Sequence, residues 1–160
     1  MAAIVQAMAG RRLLVINPNT NVAVTSRVRQ AARACARPGT LLDVVNPPAG
    51  PVAIETPADR AAAVPHVLAL ITRAGGSYDG YILACFDDIA IAEARRVLSA
   101  PVISMAEAGI RAAALHHARF DVVTTWRRRC PASRRWSGPM AWGSAAGCAP
   151  PVSACPRRPR

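Results

Sequence analysis

A parallel, doubly wound α/β sheet is the fold this sequence predicts, and three observations carry it. Short apolar runs at residues 13–16, 41–45, 80–84 and 101–105 alternate with stretches of helical periodicity. The run at 80–84 is apolar on both faces, as a central parallel strand covered by helices requires. Turn and helix-start residues separate the runs from the helical stretches, which is the pattern of repeated β-α units.

Taken in order, the first strand (13–16) ends at Asn17-Pro18-Asn19-Thr20, a turn that leads into a helix. That helix places Val24, Val28, Ala31, Ala32 and Cys35 on one apolar face and stops at Pro38-Gly39. Asn17 and Thr20 are candidates either for an Asx turn with a helix cap or for ligand contact. After the second strand (41–45) comes a Pro-rich loop, and Thr56-Pro57 supplies an N-cap with proline at the first helical position. The helix there is expected to run to about Ala74 and to end at Gly75-Gly76. Strand three then delivers Cys85 at its C-terminal end, with Asp87-Asp88 read as the first turn of a helix to about Leu98. A fourth strand at 101–105, a helix at 107–117 and a fifth strand at 120–125 complete the pattern.

Composition narrows the function classes. With 52% apolar residues the chain can bury a core. Its formal charge of +11 is uneven: residues 1–125 carry a net +3, whereas 126–160 carry 8 Arg and no acid. The body therefore lacks the basic face expected of a nucleic-acid binder, and all 20 basic residues being Arg points to coding bias. No nucleic-acid partner is expected. Five cysteines without CxxC spacing and three scattered histidines offer no zinc set, so no metal is expected. The first ten residues lack the charge order of a secretory signal, and no apolar run reaches the 18 or so residues of a span. A cytoplasmic protein with reduced thiols and no membrane partner is the expectation. Residues 126–160 hold all three Trp, six of the fourteen Pro, one Val and no Leu or Ile, and are expected to form an Arg/Pro-rich disordered tail.

In open α/β sheets ligands bind outside the carboxyl ends of the strands, where Asn17, Cys85, Ser104 and Thr124-Thr125 converge. A helix starting at Asp87 would lower the Cys85 thiol pKa through its N–H groups and dipole, and would make Cys85 the most reactive thiol of the body. The plain alternative is a buried cysteine that only packs. Cys35 is expected to pack. Glu107 reads as a helix-start acid, and His116-His117 as helix C-terminal residues.

The successive motifs Leu14-Val15-Ile16-Asn17-Pro18-Asn19-Thr20, Tyr81-Ile82-Leu83-Ala84-Cys85-Phe86-Asp87-Asp88, Pro101-Val102-Ile103-Ser104-Met105-Ala106-Glu107-Ala108 and Phe120-Asp121-Val122-Val123-Thr124-Thr125 resemble, in order, those of the hydantoin racemase branch of the Asp/Glu/hydantoin racemase family. The resemblance covers residues 11–125. It implies a flavodoxin-like lobe at 11–98 carrying the catalytic cysteine, the start of a second lobe at 99–125, and the tail at 126–160. The implied activity is cofactor-independent racemisation of hydantoins, ureides or related amino-acid derivatives by two cysteines on opposite faces of the substrate. Cys85 matches the first cysteine. Asn17, Phe86, Asp87, Thr124 and Thr125 match substrate-binding positions. The family's second cysteine follows a further apolar strand, and Cys148 in the Pro/Arg tail is not carried onto that role. The chain thus reads as C-terminally truncated or frame-shifted near Trp126, with activity expected to be impaired. A small-molecule substrate is implied, no cofactor is required, and a homo-oligomer is allowed. A non-catalytic small-molecule-binding remnant, and a decarboxylase or isomerase of the same superfamily, stay open as alternatives.

Overall fold

The computed structural model describes residues 10–116 and Phe120. The tail at 126–160, Thr124, Thr125, His117 and all of the expected fifth strand but Phe120 lie outside the described residues. Apart from Phe120, what is described belongs to the unit Met1–His116.

Four strands and four helices alternate: β1 (Arg12–Ile16), α1 (Val22–Cys35), β2 (Leu41–Val45), α2 (Pro57–Ala74), β3 (Gly80–Leu83), α3 (Ile91–Val97), β4 (Val102–Ser104) and α4 (Met105–His116). All strand pairs are parallel, in the order β2-β1-β3-β4. The predicted fold class is therefore observed. β4 continues the sheet directly from β3, with Tyr81 opposite Val102 and Leu83 opposite Ser104.

Strand alternation sends successive side chains to opposite faces, and the two apolar clusters follow that rule. Leu14, Ile16, Tyr81, Leu83 and Val102 pack with Ala63, Val67, Leu70 and Ile71 of α2 and Ile91 and Ala94 of α3. Val15, Val44 and Ala84 form the other cluster, with Val28 of α1 against it. Helices cover both faces, which is what makes the central strands uniformly apolar. Burying one such side chain contributes about 1.5–3 kcal/mol, so these clusters are the main source of stability.

Helix α2 is set by its first turn. Thr56 accepts from the Asp59 N–H at 3.2 Å, Asp59 accepts from the Thr56 N–H at 2.8 Å, and Pro57 fills the first position, so the predicted cap is a complete capping box. Gly75, at φ 54°, ends it. At the opposite edge of the sheet from the site, Asp43 accepts from the Tyr78 hydroxyl at 2.8 Å and from Arg12 at 2.9 Å, while the Arg12 guanidinium lies 4.6 Å from the Tyr78 ring centre. This cluster ties β1, β2 and the turn before β3 together.

Two sequence expectations about α1 need correction. Its fully buried residue is Thr25, while Val24, Val28 and Ala32 of the predicted apolar stripe are half-buried and Ala31 and Cys35 are exposed. The physical reason is a polar network that pulls Thr25 inward, described below.

Candidate active site

At the C-terminal edge of the sheet, β1 and β3 end side by side. Ile16 is opposite Leu83, the Ala84 N–H donates to the Ile16 carbonyl at 2.8 Å, and the Asn17 N–H donates to the Val45 carbonyl at 2.9 Å. Asn17 and Cys85 therefore emerge at adjoining strand ends. With β1 in the middle, the winding reverses between β1 and β3, and a sheet of this kind opens its ligand crevice at such a switch point.

The rim on the β1 side is a closed polar network. Asn17, only 1% exposed, donates through Nδ2 to Asn19 Oδ1 at 2.9 Å and to Thr25 Oγ1 at 3.0 Å. Thr25, also buried, donates to Asn46 Oδ1 at 2.8 Å, and so links α1 to the loop after β2. Asn19 accepts from the Asn21 N–H at 2.9 Å, and Asn21 caps α1 by accepting from the N–H groups of Ala23 and Val24. The cap is thus Asn21; Thr20 instead donates its N–H to the Pro51 carbonyl at 3.0 Å. Buried amides must be satisfied, and Asn17 meets that demand through Asn19 of the loop and Thr25 of α1.

The segment after β3 departs from the sequence reading. Helix α3 begins at Ile91, not Asp87, and holds seven residues. Between lie Asp88 at φ 49° and Ala90 at φ 60°, both in the left-handed region, which costs a residue with a side chain roughly 1–2 kcal/mol. Ala90 precedes the helix without a side-chain cap. No helix N-terminus sits at Cys85, and the expected lowering of the thiol pKa is not found. Burial instead pushes the half-buried Cys85 thiol up; the Asp87 backbone N–H, which donates to the sulfur, opposes this, as does the positive charge of Arg60, while the carboxylates of Asp87 and Asp88 reinforce it.

Arg60, on α2, grips this loop. Its Nη1 donates to Asp87 Oδ1 at 2.7 Å and its Nη2 to the Asp87 carbonyl at 2.9 Å. Phe86 is 48% exposed, and a Cβ placed on Gly109 of α4 would stand 3.9 Å from its Cε2, so the ring reaches from the Cys85 loop toward α4. Asp88 Oδ1 is buried without a hydrogen-bond partner among the described residues. At the end of β4, buried Ser104 caps α4 by accepting from the Glu107 N–H at 2.9 Å. Glu107 pairs with Arg95 and, at 2.7 Å, with Arg111, in keeping with a helix-start acid.

The structure thus brings together Asn17, Cys85, Phe86 and Asp87 at one strand-end edge, whereas Thr124 and Thr125 lie outside the described residues. Sequence reading missed Arg60, Thr25 and Asn46. Among the described residues no group of three His, Cys, Asp or Glu could hold a metal ion, and no helix is long and apolar enough to cross a membrane.

A doubly wound sheet with a half-buried thiol at its switch point belongs to the class of α/β domains that build their sites on strand ends. More narrowly, the chain belongs to the Asp/Glu/hydantoin racemase family, whose model matches residues 13–136. It is 36% identical to the hydantoin racemase of Paenarthrobacter aurescens over 71% of this chain and 49% of that one. Identity to the hydantoin racemase of Rhizobium meliloti is likewise 36%, over 73% of this chain and 49% of the relative. Among solved structures, the allantoin racemase from Klebsiella pneumoniae superposes with a TM-score of 0.64 at 40% identity, covering 66% of this chain and 44% of its own. The chain spans about half the length of the curated relatives it matches.

Proposed function

We propose that the chain is a lobe of a cofactor-independent racemase, in which Cys85 moves a proton to or from the carbon alpha to a carbonyl of a hydantoin, ureide or related amino-acid derivative. The observation that supports this best is the placement of a half-buried thiol at the β1/β3 switch point, with the Asp87 backbone N–H beside it. The relatives named hydantoin and allantoin racemase favour a cyclic or open ureide as substrate.

In this reading the Cys85 thiolate takes the alpha proton, and the electron pair of the C–H bond moves onto the carbonyl as an enolate. Reprotonation by the same thiol returns the starting enantiomer; inversion needs a donor on the opposite face. Cys148 is not assigned that role, and among the described residues Cys85 is the one acid-base group assigned. Phe86 and Asp87 line the substrate, Asn17 holds the rim, and Thr124 and Thr125 are assigned to substrate binding by their motif alone. Because burial pushes the thiol up, Cys85 is mostly protonated at neutral pH, and its action as a base strengthens as pH rises.

The test is proton exchange. An enantiopure 5-substituted hydantoin is incubated with the full chain in D2O, with the alpha proton followed by NMR and inversion by polarimetry. Exchange should outpace inversion, and Cys85→Ala should lower it by about 10²–10⁴-fold. Exchange unchanged by that substitution would sink the role of Cys85, and inversion keeping step with exchange would sink the single-base account.

A further inference from the structure

The mechanism above uses the sulfur of Cys85 but leaves open what holds its surroundings. Residues 86–90 form an irregular turn with two left-handed residues, so the position of the Asp87 N–H is not dictated by helix geometry. Something outside the loop must fix it.

We propose that Arg60 is a positioning residue for Cys85: by gripping Asp87 at both its carboxylate and its carbonyl, it holds the Asp87 N–H against the sulfur and keeps a positive charge beside the thiol. The inference deepens the proposed function and rests on it for its catalytic meaning. Two contacts of 2.7 and 2.9 Å onto one residue form a fork that only a guanidinium supplies. Arg60 stands in the first turn of α2, which the Thr56–Asp59 capping box and the core residues Ala63 and Val67 hold in place. The grip therefore connects a rigid element to a strained one. By holding both the carbonyl and the carboxylate, Arg60 fixes the Asp87 α carbon from which the N–H projects, and it keeps the negative charge turned toward a cation.

The charged groups around the thiol are Asp87 and Asp88 on its own loop and Arg60 on α2. Without Arg60, the negative charges of Asp87 and Asp88 act on the thiol with no counter-charge from α2 among the described residues, and Asp87 loses the grip that fixes it. Both changes disfavour the thiolate, which is the form that reacts with alkylating agents. The pair is about a third exposed on each side, which moderates the effect.

The experiment follows alkylation of Cys85 by iodoacetamide from pH 7 to 10 in the full chain, with peptide mapping to separate it from Cys35. Arg60→Met should slow Cys85 at pH 8 by about five-fold, with the rate recovering at higher pH. Arg60→Lys, which keeps the charge but loses the fork, should fall between the two. A folded Arg60→Met protein with an unchanged Cys85 profile would overturn the proposal, as would faster labelling through a loosened loop. Should Arg60→Met fail to fold, Arg60→Lys decides: a Cys85 profile identical to that of the unaltered chain overturns it. Alkylation reads the grip without turnover, so absence of proton exchange in the unaltered chain would count against the proposed function and leave this test standing.

Discussion

Replacing Thr25 by valine removes one hydroxyl while keeping the shape of the side chain, and the hydrogen-bond network around it allows the cost to be worked out. The hydroxyl accepts from Asn17 Nδ2 at 3.0 Å and donates to Asn46 Oδ1 at 2.8 Å. Two net hydrogen bonds of about 1 kcal/mol each are lost. One Asn17 amide hydrogen is then left with only the Asn21 carbonyl at 3.4 Å, in a residue 1% exposed. A buried donor left short of a partner costs a further 1–3 kcal/mol or so. The extra methyl returns about 0.8 kcal/mol. Thr25→Val is therefore expected to destabilise the chain by about 2–4 kcal/mol, against about 1 kcal/mol for Thr25→Ser, which keeps the hydroxyl and loses a methyl. Urea denaturation measures both, and with a slope of about 1.5 kcal/mol per molar the valine variant should lower the midpoint by roughly 1.3–2.7 M. If the serine variant proves the less stable of the two, Thr25 acts by packing and the network does not hold the rim of the site.

Two further expectations concern side-chain chemistry. At pH 7 the exposed Cys35 should be alkylated before the half-buried Cys85, with Cys85 gaining as the pH is raised; the opposite order at neutral pH would contradict the upward push that burial gives the Cys85 thiol. The Tyr78 hydroxyl, and then Arg12, hold the Asp43 carboxyl below the ordinary carboxylate range, so its contribution is present above about pH 4 and is lost as pH falls through the lower folded value. Because Asp43 is 47% exposed, Asp43→Asn should cost only about 0.5–1 kcal/mol at pH 7 and less at pH 2. An equal loss at both pH values would mean the charge is irrelevant.

The fold was legible because its signals are local. Apolar runs marked β1 to β4, and Thr56-Pro57 marked the start of α2, since a capping box needs only residues three apart. What escaped depends on contacts distant in sequence or on backbone conformation. Asp87-Asp88 has the composition of a first helical turn, yet the chain passes through the left-handed region at Asp88 and Ala90, where no glycine or asparagine gives warning. Thr25 is polar on a helix with an apolar stripe, and its burial follows from Asn17 and Asn46, partners that only the folded chain brings to it. Cys85 was placed correctly at the strand end, but its surroundings were not: Arg60 lies 27 residues before Asp87, and no periodicity encodes that pairing.

The strand order also bears on how the chain is made. β1 lies between β2 and β3, and Ile16 waits 67 residues for its partner Leu83. At a synthesis rate of about 5–20 residues per second, one side of β1 stays unpaired for roughly 3–13 s after the strand leaves the ribosome. β2 can dock earlier, but a two-stranded parallel pair with α1 on one face leaves Leu14 and Ile16 uncovered until α2 follows. Such non-local pairing is slow to form, so the nascent chain presents an apolar strand edge during its own synthesis. The same arrangement that sets Asn17 beside Cys85 makes β1 the strand that stays half-paired longest during synthesis.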